Sequence, residues 1–218
     1  MTDYVPQELV NAFVLSSGRH FQMLAQTYGL QRSLKTEVLG SRGMQPVRPE
    51  DIGNRFFMLK LSLKGVRFSI DIFYGDREHD VACLISNKDF KEAYALWEWL
   101  EILGRRELLT DSGGWVLTEG RIESVLAQLA DVLGQLAPAV ANASSTLEKQ
   151  MQFRRRERMR LDQEQLAEEE HRRLACKAAE AFRRQDYAAV IDALSAVKVE
   201  LSASEQAKLA YAQKKLMK

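Results

Sequence analysis

Residues 56–86 read FFMLKLSLKGVRFSIDIFYGDREHDVACLIS, and no other stretch limits the possible folds of the chain as strongly. Apolar and polar residues alternate over 57–63 and again over 66–72, with Gly65 between the two runs. A period of two is typical of strands that bury one face, and glycine at a short connection favours a tight turn. With residues 81–85 as a third apolar run, the stretch predicts an antiparallel meander with one face in water.

Apolar residues recur at helical spacing on both sides of this meander, and the fold class is therefore predicted to be α+β. Gly29 is placed to end the first helical region, because glycine readily adopts the left-handed conformation that closes a helix. Helices are predicted over residues 6–28, 89–104 and 118–138, a strand over 30–39, and an exposed loop over 40–49.

The C-terminal part of the chain is predicted to be helical throughout. Residues 145–148, Ser-Thr-Leu-Glu, form a capping-box pattern that opens a helix without glycine or proline for nearly forty residues. A second such pattern, Ser-Ala-Ser-Glu at 202–205, opens the last helix. We therefore predict two parts, an α+β domain over 1–143 and a helical extension over 144–218.

Charge and motifs exclude several functional classes. The chain has 31 Lys and Arg against 30 Asp and Glu, a net charge of +1, so no global field attracts polyanions. Phosphate-binding glycine motifs, the GxSxG elbow and the HExxH zinc motif do not occur in the sequence. Neither an enzyme nor a cofactor is predicted, and the oligomeric state is left open.

The two cysteines and the absence of targeting signals favour a reducing compartment. Cys83 and Cys176 lie far apart among apolar neighbours, without a spacing suited to zinc, and both are predicted to be buried. The N-terminus lacks the positive charge and apolar run of a signal peptide, and no run of about 18 apolar residues occurs. A cytoplasmic protein without a membrane span is expected.

The polar loop that follows Tyr74 is the best candidate site. It contains Asp76, Glu78, His79 and Asp80, shortly after Asp71 on the preceding strand. Carboxylates and an imidazole can form an acidic contact surface, bind a divalent metal or act as acid and base. A solvated hairpin loop is the simplest interpretation, an acidic partner-binding surface is the functional one, and a hydrolase built on Asp71, Asp76 and His79 is a third.

Trp97 and Trp99 are two residues apart on a predicted helix, so both cannot face the same core. Trp97 is expected to cover the sheet, whereas Trp99 is expected to rest on a neighbouring segment or to anchor a partner, because exposed tryptophan is enriched at contacts. Trp99 is therefore included among the candidate binding residues.

Residues 108–126, LLTDSGGWVLTEGRIESVL, resemble the wing of winged-helix regulators, and a nucleic-acid-binding regulator is the alternative function. The helix that precedes this segment argues against it. A recognition helix needs Arg, Lys, Asn or Gln at the positions that face the groove, and this helix offers aromatic rings and glutamates.

Residues 151–173 read MQFRRRERMRLDQEQLAEEEHRR, with arginines first and carboxylates later. Pairs four apart are expected to join Arg160 to Glu164, Glu168 to Arg172 and Glu169 to Arg173. The arginine block crowds like charges, so an acidic surface of this chain or of another molecule is expected to face it. Its candidate binding residues are Arg154, Arg155 and Arg156, with Arg158 and Arg160 beside them.

Two partial resemblances add expectations. Residues 178–216 resemble a single tetratricopeptide-type helical hairpin, which cannot bury its face alone. Residues 13–103, in which HFQMLAQTYGL precedes the meander, are similar to small cytoplasmic immunity proteins of bacterial interference systems. That resemblance implies a protein that neutralises a cognate toxin by occluding its active site, and a non-enzymatic toxin-binding protein is the function we expect. Under this hypothesis the loop carboxylates imitate a polyanionic substrate or pair with a basic active-site rim.

Overall fold

The computed structural model describes residues 6–40, 43–52, 56–75, 81–108 and 118–217. The chain divides into two compact units, Met1–Met151 and Gln152–Lys218. The division falls inside a long helix that begins at Ser145, so the first turns of that helix belong to the first unit.

The first unit contains a six-stranded antiparallel sheet, and the predicted α+β fold with an antiparallel meander is confirmed. The strand order is β2-β1-β3-β4-β5-β6, so the three strongest strand predictions are neighbours in the sheet. The strands are β1 (Gln31–Gly40), β2 (Gly43–Val47), β3 (Phe57–Lys64), β4 (Phe68–Gly75), β5 (Val81–Asn87) and β6 (Tyr94–Ala95).

Helices cover one face of this sheet. Helix α2 ends at Gly29, whose φ of 61° is the left-handed conformation predicted for that glycine. Helices α1 and α4 pack against each other and against the sheet, with α2 beside α4. The helices of this unit are α1 (Pro6–His20), α2 (Gln22–Tyr28), α3 (Leu96–Ile102), α4 (Glu119–Ala141) and the start of α5 (Ser145–Arg183), with short 3-10 turns at Pro49–Asp51 and Arg106–Leu108.

The core lies between the covered face of the sheet and these helices. Alternate residues of β3 and β4 point into it, and Tyr74 stacks on Phe13 with ring centroids 5.7 Å apart. Burial raises the pKa of Tyr74 to about 12, as expected for a phenol removed from water. The strand residues that are almost fully buried are Val38, Leu59, Leu61, Leu63, Ile70, Ile72, Tyr74, Ile85 and Tyr94.

Two local predictions were wrong. Residues 43–47, expected in a loop, form β2, because β1 supplies a pairing edge from Thr36 to Gly40 that local glycine and proline signals do not reveal. The helix expected from about residue 89 begins only at Leu96, because Tyr94 pairs with Ile85 in the sheet. Pro46 is tolerated since β2 is an edge strand, where a missing donor costs little.

Helix α4 is, within the described part of the chain, the one helix long and apolar enough by composition to cross a membrane. Its buried stripe, which includes Ile122, Leu126 and Leu133, belongs to the core of the first unit. Its exposed side carries Gln128 and Asp131. A core helix of a soluble protein has this amphipathic distribution, whereas a lipid-facing helix is apolar around its circumference.

The second unit contains the remainder of α5 followed by α6 (Tyr187–Ser195) and α7 (Ala203–Leu216). The predicted capping box at the start of α7 is confirmed, since Ser202 and Glu205 bond reciprocally. His171 on α5 lies 3.0 Å from Glu205 on α7. Alanines predominate in the buried centre, which consists of Ala178, Ala181, Val190, Ala193, Leu194 and Ala212.

Candidate protein-binding face of the sheet

The face of the sheet opposite the helices is accessible among the described residues. On β3 the outward side chains of Met58 and Lys64 are exposed and that of Lys60 is half-buried, whereas outward Ser62 and the inward residues are buried. On β4 the outward residues Ser69 and Asp71 are half-buried as well. An antiparallel sheet with one wet face normally carries polar residues there, so exposed apolar side chains on this face require an explanation.

Four large apolar side chains lie near one another at one end of the open face. Leu39 on β1 is the register partner of Met44 on β2, and the Leu39 N–H donates a 2.9 Å hydrogen bond to the Phe56 carbonyl. Met58 lies two residues beyond Phe56 on the same face of the sheet. Their exposed fractions are 53% for Leu39, 42% for Met44, 58% for Phe56 and 37% for Met58. We call these four residues the apolar corner.

A polar row borders the apolar corner. Lys60 Nζ lies 2.9 Å from Asp71 Oδ2, and the Ser62 hydroxyl donates to Asp71 Oδ1 at 2.5 Å. The same ammonium lies 4.9 Å from the ring centroid of Phe73. Asp71 therefore has a lysine and a serine as direct partners, a pairing that orders the open face and occupies both carboxylate oxygens.

The loop predicted as the main site lies outside the described residues. Asp76, Glu78, His79 and Asp80 all fall in this gap, which follows β4. Gly75, the last described residue before the gap, is the register partner of Met58. The chain thus enters this loop from a position opposite a residue of the apolar corner.

Trp99 is not an exposed anchor for a partner; it rests on a neighbouring segment, the other alternative for this residue. Its side chain is fully buried, its ring stacks on Phe90 at 5.4 Å, and its Nε1–H donates to the Ile85 carbonyl. Trp97 is the exposed member of the pair, at 41%. The assignment was reversed because Tyr94, two residues before α3, pairs with Ile85 on β5, and this pairing turns Trp99 towards the sheet.

The arginine block lies on α5 in the second unit. Arg154 and Arg156 are exposed, and Arg155 is half-buried. The predicted pair of Arg160 and Glu164 is confirmed at 2.5 Å, and Arg160 also contacts Glu157. These contacts raise the pKa of Arg160, its hydrogen bond to Glu157 most strongly.

One of the predicted pairs on α5 has a different partner. Arg173 bonds to Glu170, three residues away, instead of to Glu169. The hydrogen bond from Arg173 is the main cause of the lowered pKa of Glu170. Both spacings lie on one side of a helix, so the sequence alone does not distinguish them.

The wing predicted for the alternative function falls largely outside the described residues, since 109–117 are in a gap. The helix before it is described, and it does not present a basic face. Glu98, Trp99 and Leu100 on α3 are buried, and the Glu98 carboxylate accepts a hydrogen bond from the Ala95 N–H. This helix is therefore part of the core packing.

Chemistry-bearing clusters are sparse in the described part of the chain. No group of three or more His, Cys, Asp or Glu is found there that could hold a metal ion. Cys83 is buried as predicted, and burial, with a smaller contribution from the charge of Asp71, raises the pKa of its thiol. Cys176 is exposed, contrary to prediction, because its position on α5 turns away from the small core of the second unit.

The sequence contained only part of the signal for the apolar corner. The alternation over 57–63 placed Met58 on the wet face correctly, but it did not identify the neighbours of Met58. Leu39 and Met44 join it only through the pairing of β1 with β2, which was not predicted. Comparison with protein-family models, with curated proteins and with solved structures found no match.

Proposed function

We propose that the chain is a non-enzymatic protein-binding module that receives its partner on the apolar corner. The observation that supports this most directly is the clustering of Leu39, Met44, Phe56 and Met58 on an open sheet face. Scattered exposed apolar residues are ordinary on a protein surface, but a contiguous group beside polar residues is typical of an interaction site.

The surroundings of the corner favour a protein partner over a small ligand. The four side chains project from a pleated surface next to the Lys60 and Asp71 pair, which is the arrangement of an apolar centre with a charged rim. Pro46 on β2 discourages addition of another strand at this edge. The partner is therefore expected to contact side chains on the face of the sheet.

We further propose that the partner is a bacterial toxin and that the chain acts in the cytoplasm as its immunity protein. This step is supported by the partial resemblance of residues 13–103 to such proteins and by the carboxylates of Asp76, Glu78 and Asp80. Attraction between these carboxylates and a basic active-site rim would raise the association rate, while the apolar corner would slow dissociation.

The direct experiment is co-expression with the product of the neighbouring gene, followed by gel filtration and a growth-rescue assay. Phe56→Asp together with Met58→Asp is expected to abolish the complex and the rescue, because burying two new charges is costly. Val66→Asp is the matched control, since Val66 is 86% exposed in the β3–β4 turn at the other end of the sheet.

A separate variant tests the loop. Asp76→Asn, Glu78→Gln and Asp80→Asn together are expected to slow association and to reduce its salt dependence while leaving dissociation nearly unchanged. Failure of the wild-type chain to bind or to rescue would refute the immunity function. Rescue that survives Phe56→Asp and Met58→Asp would instead refute the apolar corner as the docking surface.

A further inference from the structure

The middle of α5 is a long stretch of exposed helix within the second unit. From Met159 to Glu170 all residues are exposed except Ala167, which is half-buried. Ion pairs along the helix support such a stretch, but they do not account for its large apolar side chains. Met159 is 55% exposed and Leu166 is 65% exposed.

Charge along this stretch is segregated in a way that suits pairing with an identical helix. Residues 154–160 contain five arginines and one glutamate, and residues 162–170 contain five carboxylates and no cation. Two copies running in opposite directions would bring the arginine block of each against the carboxylate block of the other. Two copies running in parallel would bring like charges together at both ends.

The apolar residues follow the same symmetry. Arg155, Met159, Leu166 and Glu170 are separated by four, seven and four residues, so all four lie on one side of the helix. Along the helix the order is basic, apolar, apolar, acidic. If a second copy of the helix runs in the opposite direction, each basic residue faces an acidic one and each apolar residue faces an apolar one. The midpoint of the pattern lies between Asp162 and Gln163.

We infer that α5 residues 152–173 pair antiparallel with the same residues of a second copy of this chain. Met159 packs on Leu166 of the second copy at both symmetric positions, and Arg155 faces Glu170 of the second copy. Arg155 already has an interaction within its own chain, and Glu170 already bonds Arg173 at 2.6 Å. Solvent-exposed ion pairs of this kind are weak, so the carboxylate of Glu170 accepts a second cation at little cost.

One feature of the helix opposes the pairing and gives a sharp test. Asp162 lies beside the midpoint, so in an antiparallel pair it approaches Asp162 of the second copy. Removing that repulsion with Asp162→Asn is expected to tighten the dimer severalfold. This surface shares no residue with the apolar corner, so either proposal can fail while the other stands.

The experiment measures self-association of the full chain by sedimentation equilibrium and light scattering. Arg155→Glu with Arg156→Glu, and separately Glu169→Lys with Glu170→Lys, are each expected to weaken the dimer at least about tenfold. Glu157→Lys with Glu164→Lys makes the same change in charge as the second variant, but on the opposite side of α5, and is expected to leave the dimer unaltered. Circular dichroism of every variant checks that α5 remains helical.

The relative direction of the two helices is tested by combining the four interface charge reversals in one chain. In an antiparallel pair this variant regains complementarity with itself but repels the wild-type chain, whereas in a parallel pair it would prefer the wild-type chain. Cys176 provides a second readout, because antiparallel copies hold the two sulfurs about 40 Å apart at 1.5 Å per residue. Oxidation is therefore expected to leave Cys176 uncrosslinked, whereas Gln163→Cys, near the midpoint, crosslinks.

Three results would overturn the inference. The first is a wild-type chain that stays monomeric at about 100 μM, well above the concentration at which a specific pairing should appear. The second is a dimer that resists both charge reversals. The third is a four-change variant that associates with the wild-type chain in preference to itself.

Discussion

Glu148, near the start of α5, accepts a hydrogen bond from the backbone N–H of Lys91, with Oε1 and N 2.5 Å apart. The two residues are 57 positions apart in sequence, and the Glu148 side chain is buried. The sequence predicts that Glu148 closes a local capping box with Ser145. In the structure the helix already includes Ser145, and the Glu148 carboxylate binds the backbone of a distant loop. Together with the buried Met151, this bond fastens the beginning of α5 to the first unit.

Glu148→Ala is therefore expected to destabilise the first unit by about 1.5–3 kcal/mol, because a charge-assisted bond is lost and the Lys91 donor is left unpaired. Urea unfolding followed by tryptophan fluorescence measures this unit selectively, since Trp97, Trp99 and Trp115 all lie within it. Glu164→Ala is the control. It removes an exposed pair on α5, and a shift of comparable size in that variant would contradict the assignment.

The second unit should lose stability in acid, because protonation of Glu205 weakens its hydrogen bonds. Bonds from the hydroxyl and then the N–H of Ser202, with a smaller contribution from His171, hold the pKa of Glu205 below its usual value of 4.5. A carboxylate whose pKa is lower in the folded state stabilises that state above the unfolded pKa. The contribution is lost as pH falls from about 4.5 through the folded pKa.

Hydrogen-exchange protection of the α7 amides, corrected for intrinsic rates, should therefore decrease over this acidic range. Glu205→Gln should flatten the dependence on pH, because the group that titrates is gone. A variant with the same pH dependence as the wild-type chain would show that other carboxylates are responsible.

Gln185 is expected to be a site where glycine improves stability. Its φ of 60° is left-handed, and it follows the last turn of α5, where the Asp186 N–H bonds to the Ala181 carbonyl. A side chain in this conformation costs about 1 kcal/mol that glycine avoids. Gln185→Gly should therefore stabilise the second unit by about that amount.

Gln165→Gly supplies the opposite control for Gln185→Gly, because the same exchange in the exposed middle of α5 costs about 1 kcal/mol of helix propensity. Thermal unfolding followed by circular dichroism at 222 nm measures both variants. If both variants changed the stability in the same direction, the explanation from the left-handed backbone of Gln185 would be contradicted.

The two thiols should differ sharply in reactivity. Cys176 is exposed, whereas Cys83 is buried with a raised pKa, and the thiolate is the reactive form. A thiol reagent should therefore modify one cysteine of the native chain quickly and the second only after denaturation. Cys176→Ser should abolish the fast reaction, and two fast thiols in the native chain would contradict the burial of Cys83.

Strand periodicity made much of the sheet predictable. Inward and outward residues of β3 and β4 follow from alternation alone, because successive side chains of a strand point to opposite faces. The left-handed end at Gly29 and the capping box of α7 were also readable, since both depend on neighbouring residues. The order β3-β4-β5 followed from the predicted meander, but the places of β1 and β2 were not readable, because β1 pairs with the more distant β3.

Two sets of residues depend on contacts that local sequence does not reveal. The helical pattern near Trp97 and Trp99 allowed either ring to be buried, and the pairing of Tyr94 with Ile85 decided that Trp99 is inside. Leu39 and Met44 lack a strong local pattern, and only the register of β1 with β2 brings them together.

Residue-to-residue periodicity and capping chemistry were thus enough to establish an antiparallel sheet with one wet face, its accompanying helices and a helical C-terminal region. Tertiary structure decided which other apolar residues join Met58 in water. Burial depends on which segments pack against a residue in the native structure. That packing placed Trp99 in the core and left Leu39, Met44, Phe56 and Met58 near one another on the open face of the sheet.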